Sequence, residues 1–201
     1  AGCIPPLQCI SSMKFNPDIH HRRSVRLKGF DYARPGAYFV TICTYKKEMY
    51  FEDSRLAQIA RLVWDTIPDH HPIVRIDEFV VMPNHVHGII WLSDGRRGRI
   101  YPAQITPTGQ DPVYDAVNLG GTHPAPTKIK RTSLPVVVQN FKAEVTRQIR
   151  NRTRTYFAWQ RNYHEHVVRT EDELNRIRQY IRDNPLNWET DEENPNSKTD
   201  V

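Results

Sequence analysis

Two histidines separated by one residue, His85 and His87, head the apolar run His85-Val86-His87-Gly88-Ile89-Ile90-Trp91-Leu92. On a β-strand, residues i and i+2 project to the same face. The two imidazoles therefore stand side by side while Val86 points into a core. Imidazole is a common ligand of divalent metals, and a fixed pair supplies half of a coordination sphere. A His-x-His triplet can also arise by accident in any histidine-bearing strand. A second pair lies downstream, in Arg178-Gln179-Tyr180-Ile181-Arg182-Asp183-Asn184-Pro185. Tyr180 and Asn184 are four residues apart, so on a helix they share a face one turn from each other. A phenol oxygen is a nucleophile once ionised or held near an activated electrophile. An amide oxygen is a hard ligand suited to magnesium or manganese. The bland alternative makes Tyr180 half-buried packing and Asn184 a C-terminal capping residue.

The elements that must position these groups follow from periodicity. An apolar, β-branched strand is predicted over 37–44. Leu56, Ile59, Ala60, Val63 and Trp64 recur at helical spacing over 53–67. Two strands follow at 73–82 and 85–92, the second bearing the histidines. A helix over 136–151 and a strand near 163–168 precede the tyrosine helix. That helix has Thr170 as N-cap, Glu173 completing a capping box, and Pro185 as its stop. Strand, helix, strand, strand, helix, strand is the ferredoxin-like order. The expected class is therefore α+β: an antiparallel sheet with helices on one face and the histidines near its centre, plus the C-terminal tyrosine helix. Residues 1–19 read as a flexible arm, 20–188 as one domain, and 94–133 as a long Gly- and Pro-rich loop within it. Residues 189–201 read as a frayed acidic tail.

Taken together, the two chemical pairs resemble the single-tyrosine HUH transposases. More narrowly, the chain resembles the REP-associated tyrosine transposases. The likeness rests on Arg22-Arg23-Ser24-Val25-Arg26-Leu27-Lys28-Gly29-Phe30-Asp31-Tyr32, Gly36-Ala37-Tyr38-Phe39-Val40-Thr41-Ile42-Cys43-Thr44 and Val81-Met82-Pro83-Asn84-His85-Val86-His87. It continues through Trp159-Gln160-Arg161-Asn162-Tyr163-His164-Glu165-His166-Val167-Val168-Arg169 to Tyr180-Ile181-Arg182-Asp183-Asn184-Pro185, so it spans roughly residues 20–188. The resemblance implies a metal-dependent endonuclease and strand transferase on single-stranded or hairpin DNA from palindromic repeats. In that reading His85, His87 and Asn184 hold magnesium or manganese, and Tyr180 forms a 5′-phosphotyrosine. Some relatives carry glutamine at the Asn184 position, and asparagine is shorter by one methylene. The resemblance also favours a monomer over a homodimer, in a bacterial cytoplasm beside the nucleoid.

Composition is consistent with a polyanionic partner. The 201 residues carry 28 Lys and Arg against 23 Asp and Glu, a formal net charge of +5. Basic residues cluster at Arg22, Arg23, Arg26 and Lys28, and again at Arg147, Arg150 and Arg154, positions suited to backbone phosphates. Tyr32, Tyr38, Trp159 and Tyr163 are candidate stacking partners for unpaired bases, or else core. Cys3, Cys9 and Cys43 form no zinc-like spacing. No run is long enough to span a membrane, and the first residues lack the order of a signal peptide. A second triplet, His164-Glu165-His166, competes for the metal, although Glu165 fits a strand with one wet face. Tyr163 and Tyr156 compete as nucleophiles, but Tyr163 has Val167 four residues on, and Tyr156, although it has Gln160 there, lacks the intervening residues of the pattern. Two other functions stay open: a catalytically silent hairpin-binding protein, and a phosphodiesterase that uses water.

Overall fold

The computed structural model describes residues 29–94, 132–191 and 193–197. The basic stretch Arg22, Arg23, Arg26 and Lys28, the arm at 1–19 and nearly all of the 94–133 loop lie outside the described residues. Strand β1 (Gly36–Cys43) leads through short 3-10 turns at Tyr45–Lys47 and Tyr50–Glu52 to helix α1 (Ser54–Asp65) and a single turn, α2 (Ile67–His70). Then come β2 (Val74–Met82), β3 (His85–Leu92), α3 (Leu134–Thr153), β4 (His164–Val168) and α4 (Glu171–Asp183), with a 3-10 extension at Asn184–Thr190. The sheet order is β2-β3-β1-β4, all antiparallel. This is the split βαβ arrangement predicted from element order, with the histidine strand in the interior.

Both faces of the sheet are covered. Tyr38, Val40, Ile42, Val86 and Ile90 join the apolar stripes of α1 and α3 in one core. Ala37, Val80, Met82 and Ile89 join Leu174, Ile177 and Ile181 of α4 in a second core on the opposite face. A strand buried on both sides is apolar throughout rather than alternating. That is why β3 is almost wholly buried. Gly88 of β3 sits against the first core: a Cβ there would lie 2.4 Å from the Trp64 ring, so only glycine lets α1 approach.

Helix ends follow capping chemistry. Asp53 accepts from the Arg55 N–H at the start of α1. At α4, Thr170 Oγ1 accepts from the Glu173 N–H, and the Glu173 carboxylate accepts in return from the Arg169 N–H, one residue earlier than in the usual box. Three acidic residues in the first turn of α4 complement its dipole. The α-helix ends at Asp183, just before Asn184-Pro185 as expected, and the chain continues as a 3-10 helix whose first turn accommodates the proline. The acidic tail is not frayed where it is described. Trp188 packs on the second core, and Asn194 is buried with its amide donating to the Trp188 carbonyl.

Candidate active site

The face of the sheet that carries α4 also carries His85 and His87. A two-residue turn, Pro83-Asn84, joins β2 to β3 and sets His85 opposite both Met82 and Cys43. His87 lies opposite Thr41 and Val80. Both imidazoles are buried, and their Nε2 atoms face each other at 3.0 Å.

Hydrogen bonding fixes the tautomer of His85. The Asn84 amide nitrogen donates to the Glu193 carbonyl at 2.6 Å, which turns its Oδ1 towards His85 Nδ1 at 2.8 Å. That oxygen can only accept, so Nδ1 of His85 carries the proton and Nε2 is left with a lone pair. His87 Nδ1 lies 2.9 Å from the Thr41 hydroxyl. Burial pushes His85 down to about 3, with Lys47 adding to the effect. Burial also holds His87 well below the ordinary histidine range, reinforced by His85 and opposed by Asp191. Two neutral rings aimed at one point are the protonation state a metal requires.

Helix α4 brings the tyrosine to the same place. The Tyr180 hydroxyl is 3.4 Å from His87 Nε2, and its ring meets Phe39 edge-on. Two ion pairs orient α4 against β2. A bulge between Ile76 and Phe79 contains Asp77 and Glu78. Asp77 takes Arg178 at 2.6 Å and the Trp91 indole N–H at 3.1 Å, while Glu78 takes Arg182 at 2.6 Å. Bulges re-aim side chains in this way. Burial raises the Asp77 carboxyl, but the Arg178 and Trp91 hydrogen bonds outweigh it and leave the group below its usual range.

Asn184 is buried at the end of α4. Its amide nitrogen donates to Asp191 Oδ2 at 3.1 Å, and its Oδ1 is buried with no hydrogen-bond partner. Asp191 is the residue that sequence reasoning missed. His85, His87 and Asp191 each offer a ligand atom, all within 4.8 Å of one another. An acidic residue in an apparently loose tail gives no signal of this; the aromatic Trp188 just before it is the one hint that the segment docks. The orphaned amide oxygen, the two facing imidazole Nε2 atoms and the carboxylate together fit a divalent cation.

The other candidates fall elsewhere. His164 and His166 share the face of His85 and His87 but lie on edge strand β4, across β1. His166 is engaged with Glu173 at 2.7 Å. The Glu165 carboxylate is buried rather than wet, because it projects with Val40 towards the first core. Tyr32, Tyr38 and Tyr163 are buried and Trp159 packs against the same core, so none of them is a free stacking surface. Arg147 is paired with Glu144, Arg150 donates to the Phe157 carbonyl, and Arg154 is exposed at the end of α3. Among the described residues, no helix is long and apolar enough to cross a membrane.

No family model matches the chain. A solved structure of a REP-associated tyrosine transposase bound to a REP hairpin superposes with a TM-score of 0.49 at 16% identity, covering 83% of this chain and 74% of the other. A crystal structure from Deinococcus radiodurans R1, described as a candidate transposase, gives 0.44 at 15% identity, covering 79% of this chain and 97% of the other. Both are partial likenesses at low identity. In sequence the match is firmer: a Haemophilus influenzae protein of uncharacterized function is 38% identical over 188 residues, which are 89% of this chain and 96% of the relative. The chain belongs to the family of that Haemophilus protein.

Proposed function

We propose that this protein is a metal-dependent single-strand DNA endonuclease and strand transferase of the REP-associated tyrosine transposase type, acting on palindromic-repeat hairpins. The observation that carries the reading is the Tyr180 hydroxyl 3.4 Å from a buried, neutral histidine pair on a central strand. His85, His87 and Asp191 would hold a divalent cation, with the unpartnered Asn184 oxygen available as a further ligand. Magnesium or manganese bound there would act as a Lewis acid on a phosphate oxygen.

The chain's own groups supply the rest. Asn84 and Thr41 lock the two rings so that their Nε2 atoms converge. The ion pairs of Asp77 and Glu78 hold α4 so that Tyr180 faces that point. The Tyr180 oxygen gives up its proton to solvent and bonds phosphorus as the P–O3′ bond breaks, and the departing 3′-oxygen takes up a proton from solvent. The phosphodiester energy is kept in a 5′-phosphotyrosine, so a 3′-hydroxyl can reverse the step and rejoin strands. Tyr180 lies beside the histidines of its own chain, an arrangement that suits a monomer.

The test is a denaturing gel of labelled hairpin oligonucleotide, protein and manganese. A protein–DNA adduct lost in Tyr180→Phe, in His85→Ala and with chelator supports the reading. Hairpin binding with no adduct across several repeat sequences would instead mark a silent hairpin binder. Cleavage without an adduct would make water the nucleophile.

A further inference from the structure

Three features of the described surface coincide beside the histidine pair, and the proposed chemistry uses none of them. The first is a pair of exposed aromatics: Tyr45 is 46% exposed and Tyr156 is 67% exposed. The second is their shared location. The Tyr45 N–H donates to the Ala158 carbonyl at 2.9 Å, and Thr44 bridges Trp159, so the two tyrosines ride on adjacent segments. The Thr44 N–H also donates to the Asn84 carbonyl, one residue before His85. The third is backbone conformation. Lys46, Lys47 and Arg154 are the described non-glycine residues with positive φ, near 55°, and all three flank these tyrosines.

Each feature alone has an ordinary explanation. Single exposed tyrosines are common, and Arg154 serves as a left-handed helix cap. Their coincidence is informative, because left-handed residues held against their preference cluster at functional surfaces. Charge indicates the occupant. Residues 44–48 and 152–161 contain Lys46, Lys47, Arg152, Arg154 and Arg161 against Glu48 alone. Lys46 Nζ sits 5.5 Å from the Tyr45 ring centroid, an aromatic face bordered by a cation. Exposed rings interleaved with cations match a polyanion that also presents flat faces. That is a single nucleic-acid strand with its bases unpaired, whereas a duplex hides its bases in the stack.

We propose that Tyr45 and Tyr156 stack unpaired bases of single-stranded DNA, with Lys46, Arg152 and Arg154 on its phosphates. The platform would hold the unpaired strand next to the candidate scissile site. This rests on the function proposed above only for the strand's chemical fate; the binding itself is measurable without cleavage.

The experiment is fluorescence anisotropy on the full chain with a labelled single-stranded oligonucleotide and, separately, a blunt duplex of the same sequence. The proposal expects Tyr45→Ala and Tyr156→Ala each to weaken single-strand binding on the order of tenfold. Tyr45→Phe and Tyr156→Phe, which keep the ring, should bind within about twofold of wild type. Duplex binding should change little in any of them. Because both side chains are exposed, the melting temperature should stay at the wild-type value, separating lost contact from lost fold. Unchanged single-strand affinity in both alanine variants would overturn the proposal. So would equal loss on duplex, or phenylalanine variants as weak as the alanines. Adduct formation by wild type, scored in parallel with Tyr180→Phe, reports on the enzymatic reading independently. Stacking can fail while the adduct persists, and the reverse.

Discussion

Gly88→Ala should be among the most damaging single-methyl additions in this protein. The new Cβ would lie 2.4 Å from both Cη2 and Cζ2 of Trp64, and 3.0 Å from Phe79 Cδ2. Ordinary carbon–carbon contact is about 3.6 Å, so ring or strand must yield by about 1.2 Å. The ring has nowhere to go. Trp64 is 1% exposed, stacked on Phe79 with centroids 4.3 Å apart, and closed edge-on by Phe141 at 5.5 Å. Overpacking usually costs about 1–3 kcal/mol, and a clash against two rings belongs near the upper end, about 3 kcal/mol. In a chain of this size each kcal/mol shifts the melting temperature by about 2–4 °C, so a fall of about 6–12 °C is expected. Thermal unfolding followed by circular dichroism would read it. Trp64→Leu should relieve the clash, so the double variant should lose less than the sum of the singles. A Gly88→Ala melting temperature within about 2 °C of wild type would refute the packing argument. Because Gly88 adjoins His87, the same substitution should also weaken manganese binding measured by calorimetry.

Asp191→Ala should lower manganese affinity by at least about tenfold, since it removes the one anionic group of the His85–His87–Asp191 cluster. Calorimetry showing wild-type affinity would exclude Asp191 as a ligand. Acid should destabilise the metal-free protein through the histidines. His85 titrates near 6.5 when unfolded and near 3 when folded, so its stability contribution is full above pH 6.5 and is lost as pH falls towards 3. By pH 5 the loss from His85 is on the order of 2 kcal/mol as an upper bound, with His87 acting in the same direction. Urea titrations at pH 7 and 5 would measure it, and His85→Gln should flatten the dependence. Asp77→Asn should cost about 1–3 kcal/mol by leaving Arg178 without its carboxylate. It should also reduce adduct yield, because α4 loses one of its two ion pairs to β2. An unchanged adduct rate would show that packing alone positions Tyr180.

Much of the frame is legible in the residues themselves. The continuous apolar run from His85 marks a strand buried on both faces, and the helical spacing of Leu174, Ile177 and Ile181 gives α4 one apolar stripe, which together bring His87 and Tyr180 to the same place. Thr170 and Glu173 announce the start of α4 through local hydrogen bonds. What is not legible depends on contacts distant in sequence. Asp191 reaches the histidines only because Trp188 docks on the second core and Asn184 reaches across to its carboxylate. The burial of the Glu165 oxygens follows from register with β1, which no local pattern encodes. Aromatic character alone does not separate the packed rings of Tyr32, Tyr38 and Tyr163 from the exposed rings of Tyr45 and Tyr156.

Under the proposed function Tyr180 becomes covalently joined to DNA. The most direct measurement incubates the protein with a hairpin oligonucleotide and manganese, digests with nuclease and trypsin, and locates the modified residue by mass spectrometry. Cleavage after Arg178 and Arg182 isolates Gln179–Arg182, whose single tyrosine is Tyr180. A nucleotide mass is expected on that peptide, absent with chelator and in His87→Ala. A nucleotide on Tyr156 or Tyr163, or nicked DNA with every tyrosine unmodified, would contradict it.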